Sequence, residues 1–141
     1  MVFKATNIIA KALKEAGLKC DVRENDEYSF VETGFSGENC TFKMCFFSAD
    51  DDNDVKVLTN EFAKYPEDKL EEGYIIMNEL SRKYRYLKFT LDKDDGAVNA
   101  QYDFPVALPE EVLGKVAIEF AIRFSKIIDD AYPQIMRSIW Q

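Results

Sequence analysis

The run Arg85-Tyr86-Leu87-Lys88-Phe89-Thr90-Leu91, the turn Asp94-Asp95-Gly96 and the run Val98-Asn99-Ala100-Gln101-Tyr102-Asp103-Phe104 together decide the class of the fold. Arg85, Leu87, Phe89 and Leu91 alternate with Tyr86, Lys88 and Thr90, and Val98, Ala100, Tyr102 and Phe104 alternate in the same way. A period of two puts successive side chains on opposite faces of an extended chain. Between the runs, acidic residues and a glycine suited to a positive φ fold one strand back on the other. The pattern predicts an antiparallel hairpin.

Upstream, Pro66 with Glu67 and Asp68 announces a helix to about Arg82, because Pro suits the first turn and carboxylates suit the positive end of the helix dipole. Leu70, Tyr74, Met77 and Leu80 form its expected core stripe. Cys40 to Ala49 reads as a central strand, since Met44-Cys45-Phe46-Phe47 is apolar on both faces. The acidic run Asp50-Asp51-Asp52-Asn53-Asp54 then reads as a hairpin loop into a strand holding Val55, Val57 and Leu58. Before these come a strand from Tyr28 to Thr33, broken by Gly34 and Ser36-Gly37, and an alternating strand carrying Leu18, Cys20 and Val22.

The chain opens with an amphipathic helix from about Phe3 to Ala16, with Val2, Ala5, Ile9, Ala12, Leu13 and Ala16 on one stripe and Gly17 as its stop. Downstream of the hairpin, Pro105 and Pro109 end the strand. A third helix follows from about Glu110 to Ala131, with Leu113, Ala117, Phe120, Phe124, Ile127 and Ala131 facing the core. Pro133 predicts a break or sharp kink before a short segment, Gln134 to Trp140. The order is helix, four strands, helix, two strands, helix. It predicts one α+β domain over residues 1–141, an antiparallel sheet of about five to six strands with the helices mainly on one face.

Composition bounds the function. The 141 residues suit a single domain, and a 47% hydrophobic content supports a core. A formal net charge of −8 repels phosphate backbones and anionic lipid, so neither nucleic acid nor membrane is expected as a partner. No apolar run approaches the ~20 residues that span a bilayer, and the expected location is the cytoplasm. There is no histidine, which removes the commonest general base and metal ligand. The six glycines form no phosphate-cradling loop. Cys20, Cys40 and Cys45 match no zinc framework and read as inert, reduced thiols, Cys45 because no basic residue flanks it.

Several stretches carry a family resemblance. They are the opening amphipathic helix, Phe35-Ser36-Gly37-Glu38-Asn39-Cys40, the run from Met77-Asn78-Glu79-Leu80 through Tyr84, Arg85 and Phe89 to Leu91-Asp92-Lys93-Asp94-Asp95-Gly96, and Asp103-Phe104-Pro105-Val106 before the last helix. In order and spacing they resemble the YbjN family of bacterial sensory-transduction regulators, whose fold is similar to that of type III secretion chaperones. The resemblance implies a small binding or regulatory domain with no catalytic residues and, in the chaperone-like relatives, a dimer that holds a protein ligand.

The candidate site residues are therefore apolar ones off the core stripes. Ile118 and Ile122 fall together among Lys115, Glu119, Ser125 and Asp129, pointing away from Phe120 and Phe124. Ile75 sits opposite Leu70 and Met77, and Tyr86 lies on the polar face of its strand. These four are the expected protein interface, with a homodimer through the outer face of the third helix and a further protein partner that the residues do not name. No catalytic residue, metal ligand or cofactor is assigned. The Asp50–Asp54 run lacks the glycine and the terminal bidentate Glu of an EF-hand loop, and Asp92, Asp94 and Asp95 with Gly96 read as turn chemistry. The alternative function is a carboxylate-dependent hydrolase or ion-binding enzyme, for which Glu61 and Asp103, both expected on strands, are the acids to examine.

Overall fold

The computed structural model describes residues 1–49 and 54–141. The hairpin that decides the class is present as β6 (Lys88–Leu91) and β7 (Ala97–Pro105), paired Lys88 to Gln101 and Leu91 to Val98. At its turn Gly96 takes φ +77°, and a side chain there would overlap the Tyr65 carbonyl. Ahead of the hairpin come α1 (Lys4–Glu15), β1 (Cys20–Glu24), β2 (Ser29–Ser36), β3 (Thr41–Ser48), β4 (Asp54–Thr59) and β5 (Ala63–Lys64). A 3-10 turn, Glu67–Lys69, leads into α2 (Leu70–Lys83), and α3 (Glu110–Trp140) closes the chain. The acidic loop expected after β3 falls on residues 50–53, outside the described residues; Asp54 opens β4.

All the pairings are antiparallel, in one seven-stranded sheet. Val98 partners both Ala63 and Leu91, so β4 and β5 share one edge of β7 while β6 takes the other. The short β5 has no sequence signal of its own. It exists because the chain bends after Thr59, whose hydroxyl accepts the Ala100 N–H and whose carbonyl accepts the Asn99 amide, so that the next residues return to the same edge.

The register explains the core. Val31, Phe46, Val57 and Tyr102 stand in one row across four strands, the first three fully buried, on the side where Ile9 and Leu13 of α1 and Leu113, Ala117, Ala121, Phe124 and Ile128 of α3 join the same core. Leu80 and Met77 of α2 join it with Leu87 and Phe89. A fully buried Leu, Ile, Phe or Met contributes roughly 1.5–3 kcal/mol, so this layer dominates the stability.

Four local expectations are corrected. Strand β2 does not break at Gly34; the residue pairs with Lys43, and the ladder continues to Ser36 opposite Thr41. Strand β1 is an edge strand, so Val22 is exposed although its period is right. On α2 the buried stripe is Gly73, Met77 and Leu80 rather than one led by Leu70 and Tyr74, because Tyr65 and Leu91 crowd against Gly73 where a larger residue has no room. Tyr74 is left exposed.

The fourth correction is the largest: α3 runs through Pro133 for 31 residues, about 46 Å. Proline has no N–H to give the carbonyl four residues earlier, which belongs to Asp129. That carbonyl instead accepts the side-chain amide of Asn39 at 3.0 Å. The Asp129 carboxylate meanwhile accepts the backbone N–H groups of Asn39 at 2.8 Å, Cys40 at 3.1 Å and Glu38 at 3.2 Å. The β2–β3 turn thus clamps onto the helix at the place where its own hydrogen-bond ladder is interrupted. A Cβ on Gly37 would overlap this carboxylate.

Gly37→Ala is accordingly expected to destabilise the protein by about 1–3 kcal/mol through overpacking. In an Asp129→Ala background the cost should largely vanish, and a double-mutant cycle by urea denaturation reads the coupling; equal cost in both backgrounds would refute the clamp. The three N–H donors, Asn39 first, hold the Asp129 carboxyl below the usual carboxylate range. A native pKa below the unfolded one gives stability that is present above the ordinary Asp value of about 4 and lost as the pH falls through the native value. Asp129→Asn should flatten this part of the acid-unfolding curve, and an unchanged curve would show that the carboxylate contributes nothing there.

Candidate functional site

Over its 31 residues α3 meets the rest of the chain at several places. Near its start Gly114 lies against Ala12 of α1, and Lys4 pairs with Glu110 at 3.1 Å. Towards its end Tyr84 donates to Asp130, Tyr65 bonds Ser138, and the Gln134 amide donates to Glu79 at 3.3 Å. Between α1 and the first half of α3 runs a groove of about 480 Å3, floored by Ile8, Ala12, Gly114 and Ile118 and edged by charged residues of both helices, among them Lys11, Glu15, Glu111 and Lys115.

Ile118 is therefore half-buried in the groove wall, whereas Ile122, one turn on, is 46% exposed. Val112 is 40% exposed on the same helix and was not singled out from the sequence. Its signal was available: stepping about 100° per residue places Val112 with Lys115, Glu119 and Ile122 on the outward side. Ile75 is 60% exposed on α2, next to the exposed Tyr74. The structure brings Ile118 and Ile122 onto one helix and leaves Ile75 apart.

Tyr86 is not on a strand. It is the centre of a three-residue turn in which the Leu87 N–H reaches the Arg85 carbonyl at 2.9 Å, with φ +74° at Tyr86. A bulky residue in that region stores about 1–3 kcal/mol of strain. Aromatic packing holds it: the ring lies 5.8 Å from Tyr102 and 6.5 Å from Phe120, in a cluster that also contains Phe104 and Phe124. Half of the Tyr86 side chain still faces solvent. A second aromatic group, Tyr28, Phe30 and Phe47, is half-buried on the sheet face opposite the helices, with Phe30 and Phe47 4.8 Å apart. The double-sided apolar run Phe46-Phe47 was the sequence signal for it.

The polar candidates are placed differently. Glu61 lies in the irregular link before β5 rather than on a strand, and it is exposed. Asp103 is on β7, exposed and opposite Lys56. Asp92 and Asp95 accept the backbone N–H groups of Asp94 and Ala97, so their carboxylates serve the turn. Among the described residues no group of three or more Cys, Asp or Glu side chains is arranged to hold a metal ion. Burial pushes the Cys40 thiol up to about 11, with Asp129 adding to the effect, and the Cys45 thiol up to about 12, with Glu32 adding. Lys43 and Arg23 do lie near Cys45, but both pair with Glu32, whose carboxylate is the nearer charge to the thiol. Burial raises Cys20 as well. All three thiols stay protonated at neutral pH, which removes their nucleophilicity.

The family model described as "Putative bacterial sensory transduction regulator", YbjN, matches residues 6–135. This chain belongs to the YbjN family. Its matched span takes in most of α1, the whole sheet, the β2–β3 turn clamped on Asp129, and α3 past Pro133. No curated protein matches the sequence. Among solved structures, the YbjN chain is similar to the Yersinia pestis type III secretion chaperone SycH, crystallised in complex with a stable fragment of YscM2. The TM-score is 0.44 at 10% identity, covering 88% of this chain and 99% of that one. No helix of the described residues is long and apolar enough to cross a membrane.

The Tyr86 turn gives a direct test. Tyr86→Ala loses the ring and keeps the left-handed backbone, whereas Tyr86→Gly loses the same ring and relieves the strain. The glycine variant of this YbjN domain should be more stable than the alanine variant by about 1 kcal/mol in chemical denaturation. An alanine variant as stable as the glycine one would show that the turn carries no strain.

Proposed function

We propose that this YbjN domain is a non-enzymatic, cytoplasmic protein-binding module with a regulatory or chaperone-like role, working as a homodimer. One observation carries the reading: apolar side chains off the core stripes, Ile122 and Val112, stand exposed on α3 beside the charged-rimmed groove that Ile118 lines. An apolar stripe with a polar rim is the composition of a protein interface rather than of a substrate pocket. The family's description as a sensory-transduction regulator agrees with a role exerted through binding.

The hydrolase alternative would need two acids converging in a closed pocket so that their proton affinities separate. Glu61 and Asp103 are both exposed, and the thiols are protonated. Those placements support binding over catalysis.

The test is quantitative affinity capture with the folded domain as bait. Burying one isoleucine contributes roughly 1.5–3 kcal/mol, so Ile122→Glu should lower recovery of a specific partner by about tenfold or more while leaving the melting temperature unchanged. Ile75→Glu, on a different helix, serves as the control for added surface charge. Equal recovery by the native and Ile122→Glu baits would overturn the assignment of this surface.

A further inference from the structure

The outward half of α3 between Glu111 and Arg123 reads as its own complement when reversed. Counting outwards from Ala117, Lys115 mirrors Glu119 and Glu111 mirrors Arg123, so each base has an acid at the mirrored position. Val112 mirrors Ile122 and Val116 mirrors Ile118, so each apolar residue has an apolar one. The remaining positions, Leu113, Gly114, Ala117, Phe120 and Ala121, are turned into the core or the aromatic cluster and take no part in the outward surface. Among the described residues Glu119 pairs with Arg123 of its own helix, at 3.5 Å.

A two-fold axis beside the helix, normal to it and at the level of Ala117, brings each residue of one copy level with its mirror residue on the other. Two α3 helices laid antiparallel about that axis bring Lys115 of one copy to Glu119 of the other, twice, with Glu111 and Arg123 closing both ends. Val112 meets Ile122 between them. In a parallel arrangement, or one shifted by a turn, like charges meet. We propose that two copies of this chain pair through antiparallel α3 helices in this register. The proposal rests on the homodimer reading above and adds its geometry.

The paired stretch is about 18 Å long, which is small for a permanent interface, so the dimer exchanges and depends on concentration. Its charge pattern selects the partner and register more than it adds affinity.

Sedimentation of the full chain from tens to hundreds of micromolar tests this at low salt. The native chain should dimerise. Lys115→Glu alone and Glu119→Lys alone each turn two attractive contacts into repulsive ones and should weaken the dimer by about tenfold or more. The double variant Lys115→Glu/Glu119→Lys restores opposite charges across the axis and should recover native association to within about threefold. A native chain that stays monomeric overturns the pairing, although partner capture through Ile122 would then still stand. Dimers indifferent to the single changes, or not rescued by the double one, overturn the register. A second readout avoids charge changes: Val112→Cys chains mixed with Ile122→Cys chains should form the mixed disulfide in preference to either like pair, and no preference overturns the proposal.

Discussion

Asp129 accepts three backbone N–H groups from the β2–β3 turn with its carboxylate and a side-chain amide from the same turn with its carbonyl. Two separate deficits meet there. A tight turn leaves N–H groups pointing outward with no strand partner, and Pro133 leaves a helix carbonyl with no donor. Each supplies what the other lacks, and the helix continues where an isolated one would bend or stop. Gly37 is needed for the approach, since any side chain there would occupy the space of the carboxylate.

Much of the architecture follows from that continuity. A helix ending near Ala131 would cover the sheet beside α1 but would not present Ile135, Ser138 and Ile139 to the end of the domain, where Tyr65 and α2 pack. The 31-residue helix links both ends, so α1, α2 and the β2–β3 turn are all referred to one rigid element. With its inner side committed along its whole length, the outer side of its first half is left to solvent, bearing alternate apolar and charged residues. The same element that holds the core together thus offers the surface.

The legible parts of this molecule were those governed by local periodicity. Phe89 with Ala100 in the hairpin, the central strand around Phe46, the α1 stripe through Ile9 and Leu13, and the exposure of Ile122 and Ile75 all follow from a period of 2 or 3.6. Period alone does not say how far a neighbour covers an element, so Val22 alternates correctly and is still exposed at the edge. Nor does it set the rotation of a short helix when two stripes are nearly equal: Gly73 rather than Tyr74 faces inward because Tyr65 and Leu91 already fill the space.

By itself, then, the sequence determined the order of the three helices and of six of the seven strands, the antiparallel class, much of the core and the exposure of Ile122 and Ile75, because each depends on side-chain type within a few positions. Tertiary structure alone decided that α3 passes Pro133, that β2 passes Gly34, that β5 joins the sheet, and that Tyr86 sits in a left-handed turn. For Pro133, Gly34 and Tyr86 a local preference was outweighed by partners outside the local window, Asn39 for Pro133, Lys43 for Gly34, and the rings of Tyr102 and Phe120 for Tyr86, while β5, with no local signal, forms because Val98 is there to pair with it. Contacts of that range exist only once the chain has folded, and no window of neighbouring residues contains them.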